Sequence, residues 1–419
     1  MYQFRARFSF CCIISQATHC AITLYICIAL LRWQDLRYLE RNASMKQMKY
    51  APRLCLQHAM ILELNEMIGI LTFIGTQSHG ACLQAYALKE KITELGYEAV
   101  IIPYQCPELK REMDKRLPTA RGNLKKRIGN LVRYPIVGSR YRKFRAFEKK
   151  YLCPGELSNT IDFSKYNRII AGSDQIWNIE VTGGDCAFFL KDVERHKKAT
   201  YAASLGADAF PKEEERRYLA LIDDIPIINV REKNLQLYLQ EKLPGRKIGL
   251  TLDPTQLLDA AEWKNLAGDT PIIKRKYLFV HFPADRPDTW EAISKIAKEK
   301  DLEVVILSNK IKRQNGCRSI FSAGPFEYLN LIRFADFVVT GSFHTLSFSL
   351  LFERDFLCTE SMIASRNSRL SSLLETAGCS DRIISKACNI QPIRFADVRE
   401  RLEIARENSV ILLKEACEG

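Results

Sequence analysis

Four short segments of the sequence carry side chains that could bind a small anion and move protons. They are residues 75–80, 172–178, 231–232 and 341–345. Each segment directly follows a short apolar run, and ligands of parallel α/β sheets bind beyond the carboxyl ends of the strands. We therefore expect these side chains to contribute to one site.

The first segment, residues 75–80, reads Gly-Thr-Gln-Ser-His-Gly and precedes a helical pattern. Free backbone amides at a helix N-terminus suit a phosphate or a carboxylate. The candidate substrate-binding residues are Ser78, Gly80 and, within the helix, Gln84. A strand-to-helix turn without a ligand is the alternative, and His79 alone is typical of a surface or capping group.

The second segment, residues 172–178, places a hydroxyl, a carboxylate and two amides beside an indole. Sugars are bound by such mixtures of polar groups and flat apolar surface. The candidate substrate-binding residues are Ser173, Gln175, Trp177 and Asn178. Asp174 is a candidate proton acceptor. The alternative is a short helix that Asp174 caps, with Trp177 in the core.

The other two segments supply a histidine and an arginine. His344 begins a largely apolar helix, where the helix dipole favours an anion, and it could donate a proton or bind phosphate. Ser342, just before it, is a candidate substrate ligand. Arg231 suits bidentate recognition of carboxylate or phosphate. An ion pair with Glu232 is the competing explanation for both residues.

Apolar runs alternate with amphipathic helical patterns from residue 67 onwards, which predicts βαβ units and parallel sheets. The predicted strands are residues 68–73, 98–103, 168–171, 226–230, 247–252, 277–282, 303–307 and 337–340. We expect an α/β fold with two Rossmann-like domains facing a cleft, over residues 67–260 and 261–419. A terminal helix closes the second domain.

The basic residues are concentrated in one segment. Residues 108–150 hold 15 Lys and Arg against 4 Asp and Glu, which accounts for most of the net charge of +13. A local patch argues against a nucleic-acid partner. We expect an exposed helical insertion that could hold the protein peripherally at the inner face of a membrane. The scattered cysteines show no zinc-site spacing and predict free thiols in a reducing cytoplasm.

The first 66 residues are predicted to lie outside the fold. Residues 8–31 carry no Asp, Glu, Lys or Arg and are long enough to cross a bilayer, which favours a membrane segment. Met67, however, opens a strand that would begin an α/β domain. Residues 1–66 would then be an extension from a misassigned start, and both interpretations stay open.

In this order, the four segments resemble blocks of the polysaccharide pyruvyl transferase family. Together with the stretches near them, the blocks read GILTF, HGACLQAYAL, GSDQIWN, YAASLGAD, NVRE, LDPTQLL, TGSFHTLSFSLLF and SRLSSLLETAGCSDR. The resemblance covers most of the chain from Met67 to about Arg382. It implies a two-domain architecture like that of GT-B glycosyltransferases. It also implies phosphoenolpyruvate as donor and a cell-surface polysaccharide, or its precursor, as acceptor.

Two of the blocks depart from the family pattern. Where the family often has Asn-Tyr-Gly, this chain has Ser-His-Gly at residues 78–80. Where the family often has Asp-Ser-Phe-His-Gly, Gly341 and Thr345 flank the same core. The glycine at 341 removes an acid that could partner the site.

The resemblance implies a mechanism for these residues. His344 matches the family histidine and would protonate the methylene carbon or the leaving phosphate. Arg231, with the amides at the start of the helix that His344 begins, would bind the phosphate and carboxylate of the donor. Asp174 or another acid would accept a hydroxyl proton. We expect no metal and no further cofactor. The alternatives are a GT-B glycosyltransferase with a nucleotide-sugar donor and a non-catalytic glycan-assembly protein.

Overall fold

The computed structural model describes residues 67–114, 124–283, 286–308, 316–360, 367–386 and 391–419, which belong to one compact unit. The predicted membrane segment, residues 8–31, and the predicted extension, residues 1–66, lie outside the described residues. Within those ranges, no helix is both long and apolar enough to cross a membrane.

The N-terminal half is built on parallel strands. Its strands are β1 (Met67–Leu71), β2 (Glu98–Ile101), β3 (Arg168–Ala171), β4 (Lys198–Thr200), β5 (Ile228–Val230) and β6 (Ile248–Leu250). The first four form a sheet in the order β2-β1-β3-β4, and β5 pairs with β6. Single bridges from Ala199 to Ile227 and from Ala203 to Val230 join the two groups.

Helices connect these strands. They are α1 (His79–Glu94), α2 (Pro107–Asp114), α3 (Leu124–Phe147), α4 (Ile179–Thr182), α5 (Lys212–Asp223) and α6 (Lys233–Lys242). The basic segment is helical in α2 and α3, but it is not exposed throughout. Phe144 and Phe147 at the end of α3 are buried, because their apolar rings pack into the main core.

The C-terminal half has a second parallel sheet. Its strands are β7 (Tyr277–His281), β8 (Glu303–Leu307), β9 (Arg318–Ile320), β10 (Phe337–Thr340) and β11 (Phe356–Cys358), in the order β11-β10-β7-β8-β9. The helices are α7 (Ala260–Ala267), α8 (Pro287–Glu299), α9 (Pro325–Arg333), α10 (Phe343–Leu351), α11 (Ser368–Ala377) and α12 (Phe395–Glu418). The strand order reverses between β7 and β10, where ligands of such sheets bind.

The terminal helix α12 packs on the N-terminal half. The Asn229 side-chain amide donates to the Leu412 carbonyl at 3.3 Å, and the Leu252 amide donates to Ser409 Oγ at 2.9 Å. Helix α12 follows residue 260 in the sequence but packs on the half that precedes it. The predicted division at residue 260 stays a prediction.

The predicted fold class, α/β with two Rossmann-like halves and parallel sheets, is confirmed. Sequence analysis missed β4, β9 and β11, which have only three residues each. The described cysteines are free thiols. Five of them are buried: Cys82, Cys106, Cys358, Cys379 and Cys417.

Candidate active site

The first residues of α1 and α10 line one cavity of about 270 Å³, which we call the central cavity. Its polar lining includes Ser78, His79, Arg140, His281, Tyr328, Ser342 and His344. Ser78 caps α1 by accepting a hydrogen bond from the Ala81 amide, and Ser342 caps α10. Two helix N-termini therefore border one cavity, an arrangement that favours an anion.

His344 lies at the wall of the central cavity with its ring against Gly80. A methyl group on Gly80 would overlap the imidazole, so this close approach requires glycine. His344 Nε2 lies 3.6 Å from Asp253 Oδ2 and has no hydrogen-bond partner among the residues that the structure describes. The imidazole is thus held between the α1 backbone and a buried carboxylate.

Asp253 is a buried carboxylate with several donors around it. Its Oδ2 accepts from Arg231 Nη1 at 2.6 Å and from Ser173 Oγ at 3.2 Å, while Oδ1 accepts from the Thr255 amide and hydroxyl. Burial alone would raise the pKa of Asp253, but His344 and Arg231 hold it well below its usual value. The group is therefore ionised and places a negative charge beside His344.

Arg231 is enclosed by carboxylates. Besides Asp253, it contacts Glu232 Oε1 at 3.1 Å and Asp174 Oδ1 at 3.6 Å, and its guanidinium lies over the Phe343 ring. Burial disfavours its charge, but Glu232, Asp253 and Asp174 outweigh that effect and raise the pKa of Arg231. One cation among three carboxylates gives a cluster that does not by itself attract an anion.

Arg231 and His344 meet at Asp253, but they line different cavities. Arg231 lines a second cavity of about 380 Å³, which we call the Arg231 cavity and which also borders Asp253, Phe343 and Arg369. His344 lines the central cavity. The sequence hypothesis placed both side chains on one donor molecule, whereas the structure connects them through the shared carboxylate.

Three predicted substrate-binding residues are buried in other roles. Trp177 lies in the core, donates its indole N–H to the Phe188 carbonyl and has no exposed face for a sugar. Ser173 is fully buried and donates to Asp253. Gln84 donates to Thr72 Oγ1 at 2.8 Å inside the core. The expectation that these three contact substrate is corrected, because residue types cannot distinguish a buried polar network from an exposed one.

The other candidates of the 172–178 segment lie near Arg231 or cap α4. Asn178 caps α4 through the Glu180 amide, and its side-chain amide lies 2.8 Å from Gln175 Oε1. Asp174 has a positive φ of 74° and accepts from the Gln175 amide. Neither Asp174 nor Asn178 is among the described residues that line the two cavities.

Sequence analysis missed several residues of the central cavity and of its wall. Asp253 and His281 each lie at or just after the end of a strand, so the rule that identified His344 could also have found them. Arg140 gave no such signal, because it lies inside a helix of the basic segment. Its guanidinium is almost completely buried and donates to the Gln77 carbonyl at 2.8 Å.

A hydrogen-bonded cluster connects the missed residues. His281 Nδ1 lies 2.6 Å from Thr345 Oγ1, and Thr345 Oγ1 lies 2.9 Å from the Tyr328 hydroxyl. The His79 ring stacks on Tyr328 with centroids 4.5 Å apart. Burial, and secondly the charge of Arg140, lowers the pKa of His79 and lowers that of His281 to about 3. Both imidazoles are therefore neutral at pH 7.

The structure accounts for the glycine at 341. A methyl group there would lie 2.5 Å from the Phe282 carbonyl oxygen and 2.9 Å from Thr359 Oγ1. An aspartate at this position would require the backbone at Phe282 to move.

Known proteins provide a family match and several distant structural similarities. Residues 79–360, from the start of α1 to just beyond β11, match the family model described as polysaccharide pyruvyl transferase. No curated protein matches the chain.

The chain is similar to solved structures at low identity. The UDP-GlcNAc 2-epimerase of Methanocaldococcus jannaschii in complex with UDP-GlcNAc and UDP is 12% identical, with 84% of this chain and 99% of that chain covered and a TM-score of 0.44. The S. aureus MnaA–UDP structure is 13% identical, with 84% and 91% covered and a TM-score of 0.45. The glycosyltransferase SsfS6 of Streptomyces sp. SF2575 is 12% identical, with 83% and 98% covered and a TM-score of 0.38.

Proposed function

This chain belongs to the polysaccharide pyruvyl transferase family, and from that premise we propose that it transfers the pyruvyl group of phosphoenolpyruvate to a sugar as a ketal. The acceptor would be a cell-surface polysaccharide or its precursor. The observation that carries the proposal is the central cavity, where two helix N-termini, Arg140 and His344 come together. Phosphoenolpyruvate carries a phosphate and a carboxylate, which are the groups that such an environment favours.

The donor would lie between the first turns of α1 and α10. Backbone amides near Ser78 and Ser342 would bind one anionic group, and the guanidinium of Arg140 would balance the charge. The cavity is close to the smaller end of the range of about 300–1,000 Å³ that small-ligand sites span. A three-carbon donor and one edge of a sugar ring are ligands of that size.

His344 would act as the acid. The ionised Asp253 stabilises the protonated imidazole, and the proton passes to the methylene carbon of the donor, which becomes the methyl group of the ketal. Arg231 fixes Asp253 in place and in this scheme acts as a positioning residue, without contacting the donor.

The atoms of the reaction balance without a further reactant. Two sugar hydroxyl oxygens form bonds to C2 of the donor, and the bond from C2 to the phosphate oxygen breaks. One hydroxyl proton replaces the proton that His344 gave to the methylene carbon, and the other leaves with the phosphate. A group that accepts the first hydroxyl proton is therefore also required. Asp174 is a remote candidate for that role, because it lies beside Arg231 and lines neither cavity.

The test is phosphate release from phosphoenolpyruvate in the presence of a panel of p-nitrophenyl hexosides. We expect His344→Ala to lower turnover by about 10²–10⁴-fold, the usual contribution of acid–base catalysis. Phosphoenolpyruvate at a hundred times its Kd should stabilise the wild type by about 2.7 kcal/mol. His196→Ala is the matched control, because the His196 side chain is largely exposed and outside both cavities.

Two results would contradict the proposal. Full activity of His344→Ala would exclude this histidine as the acid. Release of nucleoside diphosphate from nucleotide sugars, without phosphate release from phosphoenolpyruvate, would indicate a glycosyltransferase instead.

A further inference from the structure

Besides His344, the central cavity is lined by two histidines that the scheme above does not use, His79 and His281. Resting on the proposed function, we propose that His281 Nε2 accepts the proton of the sugar hydroxyl that attacks C2 of the donor. The sugar would then enter the central cavity on the side of His281 and Tyr328, opposite the acid His344. This inference names a base for the reaction and a position for the acceptor hydroxyl.

The position of His281 supports this role. The residue ends β7, directly beside Thr340 at the end of β10, so it lies at the point where the strand order reverses. Its Nδ1 is engaged by Thr345 Oγ1 at 2.6 Å, which leaves Nε2 as the nitrogen that can meet a ligand in the cavity.

The hydroxyl groups behind His281 can fix it in the tautomer that a base requires. If Nδ1–H donates to Thr345 Oγ1, the Thr345 hydroxyl can donate to the Tyr328 oxygen at 2.9 Å, because hydroxyls both donate and accept. Nε2 then carries a lone pair. The stacked His79 ring holds Tyr328 in position, with an angle of 19° between the ring planes.

The surroundings of His281 and His344 separate the roles of these two histidines. His344 lies 3.6 Å from the buried carboxylate of Asp253. Among the described residues, the His281 ring is hydrogen-bonded to the hydroxyl of Thr345. Pairs of titratable groups in such different environments are how enzymes divide acid and base functions.

The donor itself would increase the basicity of His281. Burial lowers the pKa of His281 to about 3, and the charges of Arg140 and His344 contribute to that shift. The phosphate and carboxylate of a bound donor would offset these positive charges. Transfer of the proton from His344 to the donor would remove a further positive charge. His281 would therefore gain affinity for a proton as the hydroxyl attacks.

The alternatives for the base are weaker on geometric grounds. His79 Nε2 lies 3.0 Å from the Ala323 carbonyl, to which it donates, and the ring stacks on Tyr328. Glu112 also lines the cavity, but it lies on an exposed face of α2. Asp174 does not line it.

His79 and Thr345 belong to a single network behind the proposed base. Both contact Tyr328, although they lie far apart in the sequence, and Thr345 also contacts His281.

The test compares His281→Asn with His196→Asn in phosphate release from phosphoenolpyruvate with the hexoside panel. Asparagine keeps a polar atom near the position of Nδ1, next to Thr345, and removes Nε2. We expect His281→Asn to lower turnover by about 10²–10⁴-fold, with the wild-type stabilisation by phosphoenolpyruvate retained. We expect His196→Asn to match the wild type. Thr345→Val, which keeps the side-chain shape, should lower turnover less and shift the acidic side of the pH–rate profile, where protonation of the base limits turnover.

The outcomes separate this inference from the proposed function. Wild-type turnover in His281→Asn, or loss of turnover in Glu112→Gln alone, would overturn the role of His281 and leave the proposed function standing. Should His281→Asn not fold, an unchanged pH–rate profile in Thr345→Val would also overturn it. If the wild type neither releases phosphate nor is stabilised by phosphoenolpyruvate, the proposed function fails and this inference fails with it.

Discussion

At the scale of single residues, the contact between Gly80 and His344 is the tightest constraint on the site. A methyl group on Gly80 would overlap the imidazole, and Gly80 lies in the first turn of α1, where the backbone cannot easily yield. We expect Gly80→Ala to displace His344 from Asp253 and to lower turnover by about 10²–10⁴-fold, as loss of the acid does. Phosphate release at saturating phosphoenolpyruvate measures this effect.

A double-mutant cycle tests whether Gly80 acts through His344. In the His344→Ala background, Gly80→Ala should cause no further loss, because the ring that it displaces is absent. Gly155→Ala is the control, since a methyl group at Gly155 meets no atom within 4 Å. Additive losses in the double variant would show that Gly80 affects the site by another route.

Sequence analysis placed some of these residues correctly and misjudged others for physical reasons. The rule that ligands bind beyond strand ends led to His344 and Arg231, and both lie at Asp253. The ion pair of Arg231 with the adjacent Glu232 was anticipated as an alternative. The same rule, however, could not show that Asp174 and Asp253 join it, because these two carboxylates come from separate loops. Trp177 was misjudged as a ligand, because an indole after a strand can face either the core or the solvent.

At the scale of elements, helix α12 holds the segment that carries Asp253. Ser409 Oγ accepts from the Leu252 amide at 2.9 Å and donates to the Ala405 carbonyl, and Ser409 is buried. We expect Ser409→Ala to lower the free energy of unfolding by about 1–3 kcal/mol, because a buried amide loses its acceptor. Urea denaturation measures this change.

Glu407→Ala serves as the matched control on the same helix. Glu407 is exposed, and such surface substitutions usually change stability by less than about 0.5 kcal/mol. Equal stabilities of the Ser409 and Glu407 variants would show that the contact between α12 and Leu252 contributes nothing.

The order of elements was predictable from periodicity, but their partners were not. The α/β alternation, the exact bounds of β3, β8 and β10, and the position of α12 follow from apolar patterns. An amphipathic pattern shows that a helix buries one face, but it does not name the surface that covers it. The packing of α12 on the N-terminal half therefore required the structure.

At the scale of the whole molecule, two buried histidines should make stability depend on pH. The pKa of His79 and that of His281 are lowered in the folded state, by burial first and by Arg140 second. The unfolded chain therefore binds protons below about pH 6.5, where the folded state does not. The stability that the two neutral imidazoles contribute is fully present above pH 6.5 and is lost as the pH falls towards 3.

Other buried groups affect the stability at other pH values or in the opposite direction. Asp253 has a lowered pKa, so its contribution is lost only below the unfolded value of about 3.9. Burial raises the pKa of Glu148 despite its contact with Arg145. Near and above pH 4.5 the folded state therefore binds this proton more readily than the unfolded chain, so Glu148 makes the protein more stable as the pH falls. The interval between pH 7 and 5.5 is therefore governed mainly by the two histidines.

We expect the free energy of unfolding to fall by roughly 2–3 kcal/mol between pH 7 and pH 5.5, since each histidine contributes up to about 1.4 kcal/mol per pH unit. Urea denaturation at the two pH values measures the change. His281→Asn should remove about half of it, because one buried imidazole is gone, while His196→Asn should keep all of it, because that side chain is exposed. An equal decrease in all three proteins would mean that His281 becomes protonated in the folded state as readily as in the unfolded chain, and the uncharged imidazole that the proposed base requires would then be absent below neutral pH.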